Sequence, residues 1–181
     1  MTANRRSLLQ VAAGLGLLGL APLARSGAYE DFFSAVEVDN DSGLRQLLAR
    51  GMDPNTLDPR GQHGLYLALR GGSPKVFGLL LQHPDAKVDH ANAVGETPLM
   101  MAALRGNLEA MKALIAKGAA VNRPGWSPLH YAASGPESRM VALLLDRGAR
   151  IDAAAPNGNT PLMMAARYGT QEGADLLLAR G

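Results

Sequence analysis

No cysteine occurs anywhere in the 181-residue sequence. That absence excludes disulfides, thiolate nucleophiles and cysteine-based zinc sites, and it suits an oxidising compartment, where a stray thiol is a liability. Aromatic residues are scarce, at 4%, so any core must be assembled from Leu, Ala, Met and Val. A basic excess is missing too, once position is considered. The formal charge is +2, but Arg5, Arg6 and Arg25 precede Tyr29 and no acid does. From Tyr29 onward 15 basic residues face 16 acidic ones, a net of −1. This argues against nucleic acid as a partner, because phosphate recognition needs a basic face. A long hydrophobic run is also lacking. Leu8–Leu20 is too short to cross a bilayer comfortably as a permanent helix.

The usual marks of catalysis are absent as well. No serine lies in G-x-S-x-G, no His–Asp pairing supports a nucleophile, and the acids are scattered over turns and helix surfaces. His63, His83, His90 and His130 lack paired metal-ligand spacing, the first three falling in or beside turns. The sequence therefore reads as non-enzymatic, with no catalytic residues, no cofactor and no metal. Gly14, Gly16 and Gly19 spell G-x-G-x-x-G, but no strand precedes them, so the backbone approach to a pyrophosphate that gives the motif its meaning is missing.

What is present begins with an address. Two arginines, Arg5 and Arg6, are followed by the mild, glycine-rich apolar run, then Pro22 and small residues up to Ala28. This is the plan of a secretory signal, and Arg5-Arg6-Ser7-Leu8-Leu9 resembles the twin-arginine export motif. Residues 1–28 are read as a signal peptide cleaved after Ala28, with cleavage after Ser26 the rival. The expectation is a periplasmic protein with no membrane anchor after cleavage.

The remainder repeats itself. "GETPLMMAALRGNLE" at 95–109 returns as "GNTPLMMAARYGTQE" at 158–172. Aligned on that phrase, Thr97, Ser127 and Thr160 begin three copies, and His63 and Glu30 begin two degraded ones. Each copy continues into small residues such as Ala102-Ala103, then into a leucine pair such as Leu144-Leu145. Four copies add a basic residue and glycine, as in Lys117-Gly118, and four close on Asn55, Asp89, Asn122 or Asp152. The chemistry of a unit is legible. Thr97 caps a helix whose first position takes Pro98, and Leu99, Ala102 and Ala103 make an apolar face at helical spacing. Gly106-Asn107 turns the chain, and Met111, Leu114 and Ile115 line a second helix that Gly118 ends.

A period near 33 built on "TPLHxAA"-like phrases resembles the ankyrin repeat. The copies "TPLMMAALRGNLEAMKALIAKGAAVN", "SPLHYAASGPESRMVALLLDRGARID" and "TPLMMAARYGTQEGADLLLARG" carry the likeness. The resemblance covers about residues 29–181. It implies an all-α repeat solenoid of stacked helix-turn-helix units joined by β-hairpin-like fingers. The units fall at about 29–55 (a capping unit with acids and Asn facing water), 56–89, 90–122, 123–152 and 153–181. The last is read as incomplete, with the natural protein expected to continue. The resemblance also implies binding of a protein partner on a concave face of fingers and first helices. A monomer is expected.

Departures from the pattern locate the candidate site. His63-Gly64 lacks both cap and proline, so its helix is expected to start raggedly. The fourth finger is three residues short and holds the only tryptophan, Trp126. Ser34, Leu67, Met101, Tyr131 and Met164 fall at one position of successive first helices and are expected to form a stripe, flanked by Arg70, Arg105, Arg167 and Tyr168. Alanine at Tyr131 or Met101 is expected to weaken partner capture and leave folding intact, and Glu109 and Lys112, on the second helix, to tolerate alanine. Met100 and Met163 are expected to fill the core where histidine usually sits, as in His130, with Met101 and Met164 on the surface. The alternative function is a methionine-based redox or copper-handling periplasmic protein.

Overall fold

The computed structural model describes residues 21–181, with side chains from residue 27. Arg5, Arg6 and most of the signal segment lie outside the described residues. Ten helices follow one another in pairs among the described residues: α1 (Ala21–Glu37), α2 (Asp41–Ala49), α3 (Gly64–Gly71), α4 (Pro74–Gln82), α5 (Pro98–Leu104), α6 (Leu108–Ala116), α7 (Pro128–Ala133), α8 (Ser138–Asp146), α9 (Pro161–Tyr168) and α10 (Gln171–Arg180). Odd helices pack side by side in one layer and even helices form a second. A helix that buries one stripe cannot do so alone, and stacking the pairs gives each stripe a neighbour. The result is the all-α repeat solenoid.

Local chemistry sets the helix starts. Thr97 and Thr160 each accept a backbone N–H three residues on, from Met100 and Met163, both at 3.4 Å, and Pro98 and Pro161 follow at the first helical position. The expected ragged start at His63 is not found. His63 itself caps α3, its Nδ1 accepting the Tyr66 N–H at 3.4 Å. Gly64 stands where the other units have proline because the space is taken: a Cβ there would lie 2.7 Å from Leu80 Cδ1 and 3.1 Å from Phe32 Cζ. At the far end of a unit, Gly118 adopts φ +92°, a left-handed turn that other residues resist.

The fingers are hairpin-like without forming strands. At 58–62, 92–96 and 155–159 the first residue donates its N–H to the last carbonyl and accepts the N–H three residues on, as in Asn92 N to Glu96 O and Gly95 N to Asn92 O, both 2.9 Å. The closing residues stitch each unit to the next. Asn55 bonds the Asp85 carbonyl and the Lys87 N–H, Asp89 accepts the Ala120 N–H, and Asn122 bonds the Gly148 carbonyl and the Arg150 N–H, with shortest distances of 2.8–2.9 Å. The first unit does more than face water. Asn40 caps α2, and Asp39 Oδ1 accepts the Val76 N–H at 2.9 Å. The core runs through all units, with Phe32, Leu44, Leu80, Leu99, Met111, Leu114, Leu129, Met140 and Leu144 fully buried. Between α4 and α6 the outer layer opens into a cleft of about 630 Å³ beside Phe77, Gly78, Leu81, Ala110 and Ala113.

Candidate functional site

The odd helices bring the anticipated stripe onto one layer. Leu67, Tyr131 and Met164 are half-buried and pack against the core, and Ser34 is exposed. Met101 departs from the expectation: it is buried, only 5% exposed. Met163 departs in the other direction. It is 54% exposed rather than a core filler, because no further unit covers α9 on that side among the described residues. Met100 is fully buried as anticipated, and its sulfur stands in for the usual imidazole by accepting the Thr97 N–H at 3.4 Å. His130 shows that imidazole arrangement. Its Nδ1 accepts the Ser127 N–H at 3.1 Å, which leaves Nε2 to carry the proton and donate to the Asn159 carbonyl at 3.1 Å, binding α7 to the next finger. Burial keeps its pKa below the ordinary histidine value.

Beside His130 the short fourth finger matters. Trp126, half-buried, sets its ring against His130, with centroids 5.3 Å apart at 74°. It lines an open cavity of about 400 Å³ with Leu104, His130, Tyr131, Ser134, Met164 and Tyr168. Ser134, the C-cap of α7, is small where the equivalent positions of the other units carry Arg70, Leu104 and Arg167. Arg167 stacks over the exposed Tyr168 ring, 5.1 Å from its centroid, and Arg105 follows Leu104 as the α5 C-cap. Four of the candidate residues, Trp126, Tyr131, Met164 and Tyr168, thus surround one space. Arg105 and Arg167 adjoin it in the chain, while Leu67, Arg70 and Met101 belong to earlier helices.

Glu96 is a functional candidate that sequence reading missed. Its carboxylate accepts the Tyr66 hydroxyl at 2.5 Å, the Asn92 amide at 3.0 Å and the Tyr131 hydroxyl at 3.1 Å, linking three units. Partial burial opposes ionisation, but these hydrogen bonds and the nearby Arg70 outweigh it and hold the carboxyl below the usual carboxylate range. Burial and the Glu96 charge in turn hold both phenols protonated, well above the ordinary tyrosine value. The only forewarning was a glutamate before a threonine cap, a spacing that says nothing of tyrosines 30 and 35 residues away. These contacts also revise the expectation for Tyr131, since truncating it would remove a hydrogen bond within the fold. Truncating the buried Met101 would open the core.

His63 is 1% exposed, and its Nε2 has no hydrogen-bond partner. The His90 ring lies 5.2 Å away, centroid to centroid. Burial first, then the His90 charge, push the His63 pKa down to about 4. Among the described residues no three His, Asp or Glu side chains gather as a metal site requires. Met100 and Met101, both buried, are closed to an ion from solvent.

Charge divides by layer. Ion pairs Arg45–Asp41, Lys112–Glu109, Arg139–Glu137 and Arg180–Asp146 join neighbours on the even helices and their caps. Among the described residues no ion pair includes Arg70, Arg105 or Arg167. Arg70 donates to the Gln62 side chain at 2.9 Å and Arg105 to the Arg70 carbonyl at 2.6 Å.

Known proteins share this organisation. A family model described as ankyrin repeats, in three copies, matches residues 32–124 and 117–181. The chain is 34% identical over 145 residues to the nuclear factor NF-kappa-B p105 subunit of Gallus gallus, covering 76% of this chain and 15% of that protein. It is 37% identical over 122 residues to the neurogenic locus notch homolog protein 4 of Homo sapiens, covering 65% and 6%. It is 40% identical over 102 residues to the ankyrin repeat and KH domain-containing protein 1 of Homo sapiens, covering 54% and 4%. The chain therefore spans a small part of the length of these relatives. With helix pairs capped alike, fingers stitched unit to unit and a family model matched from residue 32 to residue 181, the chain belongs to the ankyrin repeat family.

Proposed function

We propose that this protein is a non-catalytic interaction module, exported to the periplasm by the twin-arginine route and acting as a monomer. It binds a protein partner through the concave face of its odd helices and fingers. Ankyrin repeats mediate protein–protein interaction. The observation that carries the choice of face is the division between layers. The even helices carry ion pairs, whereas the odd layer offers Arg70, Arg105 and Arg167 outside any ion pair among the described residues, together with an aromatic-lined cavity. Aromatic and arginine side chains contribute most to binding at protein interfaces. Export rests on Arg5 and Arg6 before a weak apolar run.

One experiment tests both halves. A photo-crosslinking residue is placed at Arg105 or at Lys112 in the full chain, with the twin arginines intact or changed by Arg5→Lys and Arg6→Lys. Crosslinked protein from the Arg105 probe in the periplasmic fraction is expected, little from the Lys112 probe, and retention of the lysine variant in the cytoplasm. Capture at Lys112 alone overturns the face, and normal export of the lysine variant overturns the route.

A further inference from the structure

The short finger and two arginines without a carboxylate partner among the described residues together describe a partner, on the premise that the concave face is the one used. We propose that the cavity between α7 and α9 receives one large apolar side chain of an acidic partner segment, whose carboxylates pair with Arg105 and Arg167. An opening of about 400 Å³ falls in the range of built ligand sites and exceeds what a single aromatic ring fills, so a phenylalanine or leucine side chain enters without displacing the walls. Its chemistry is that of an anchor pocket. Trp126, Tyr131 and Tyr168 supply aromatic surface, and Met164 supplies an adaptable wall.

Charge then selects the flanks. Arg105 and Arg167 adjoin the cavity residues Leu104 and Tyr168 in the chain and have no carboxylate partner among the described residues. Glu96, which reaches this face through Tyr131, has its charge met inside the protein by three hydrogen bonds and Arg70, and Glu137, beside Gly106, is paired with Arg139. Neither acid serves Arg105 or Arg167, and neither is left seeking a basic partner. Arg105 gives one N–H to the Arg70 carbonyl at 2.6 Å and Arg167 stacks over the Tyr168 ring; the remaining N–H groups of each guanidinium suit a carboxylate, which arginine pairs bidentately. A phosphate backbone could supply the same charge but no apolar side chain for the cavity, and that rival is one arm of the test.

Trp126 is the only tryptophan, so its emission reports the cavity directly. The purified full chain is titrated with three acetylated, amidated pentapeptides: phenylalanine flanked by aspartates, alanine flanked by aspartates, and phenylalanine flanked by lysines. A thymidine oligonucleotide is the fourth probe. The aspartate–phenylalanine peptide is expected to shift Trp126 emission and to bind at least about tenfold more tightly than the others. Its affinity is expected to fall as salt is raised and to drop about tenfold in Arg167→Glu or Tyr168→Ala, both exposed positions whose change leaves the melting temperature in place. Equal or tighter binding of the lysine or alanine peptide, tighter binding of the oligonucleotide, or no shift with any probe overturns the inference. A basic partner crosslinked at Arg105 would also overturn it while leaving the concave-face reading intact. Failure of all crosslinking at Arg105, with emission still shifted by the acidic peptide, would do the reverse.

Discussion

Residues 97–103 and 160–166 are the same seven amino acids, Thr-Pro-Leu-Met-Met-Ala-Ala. Both fold as capped helices, with the same 3.4 Å bond from the fourth residue's N–H to the threonine hydroxyl. Their surroundings differ. Met100 is fully buried and Met163 is 54% exposed, Leu99 is fully buried and Leu162 only partly, and Ala103 is buried where Ala166 is exposed. Local sequence chose the helix and its start in both places. The neighbouring unit decided which side chains left water, because α5 is packed between α3 and α7 while α9 has, among the described residues, only α7 beside it in the odd layer.

The sharpest way to exploit that pair is to truncate the same methionine twice. Met100→Ala is expected to cost about 2–5 kcal/mol, the price of emptying a packed site. Met163→Ala, at an exposed helical position, should stay within about 0.5 kcal/mol. Denaturant titration of both variants measures the difference, and equal losses would break the comparison.

A third unit extends it, since His63 occupies the capping place of Thr97 and Thr160. The folded His63 pKa of about 4 lies below its ordinary 6.5. On acidification the unfolded chain therefore takes up this proton first. Stability from this group is fully present well above pH 6.5 and is lost as pH falls from there towards 4, by an amount on the order of 3 kcal/mol. His63→Thr should flatten that part of the stability–pH curve, measured by chemical denaturation at steps across the window. An unchanged slope would show that another group is responsible.

The smallest effect is the one that should not distinguish the two phrases. Thr97→Ala and Thr160→Ala are each expected to cost about 1 kcal/mol, because each loses one bond to an otherwise unpaired helix N–H. A Thr97 loss several times larger than that at Thr160 would show that the buried cap answers to its neighbours as well as to its own turn.

The pattern of what was legible follows the same division. Period, caps, prolines, helix-ending glycines and the closing Asn and Asp residues were readable because each acts within a few residues of itself. The meeting of Tyr131 and Met164 at one cavity was readable because equivalent positions stack. Met101 and Met163 were misjudged because amphipathic position describes one helix, whereas burial requires knowing what lies against it. His63 was misjudged because an imidazole is an uncommon cap, and its suitability depends on a buried ring site between units.

By itself, then, the sequence determined the repeat, the helix pairs and their ends, through hydrogen bonds and backbone preferences that span a turn or two. Only tertiary structure decided that Tyr66 and Tyr131 close on Glu96 across three units and that Trp126, Tyr131, Met164 and Tyr168 line one cavity. The physical reason is distance along the chain. These groups come from separate repeats, and their meeting depends on how the stacked units bring them together, which no local preference encodes.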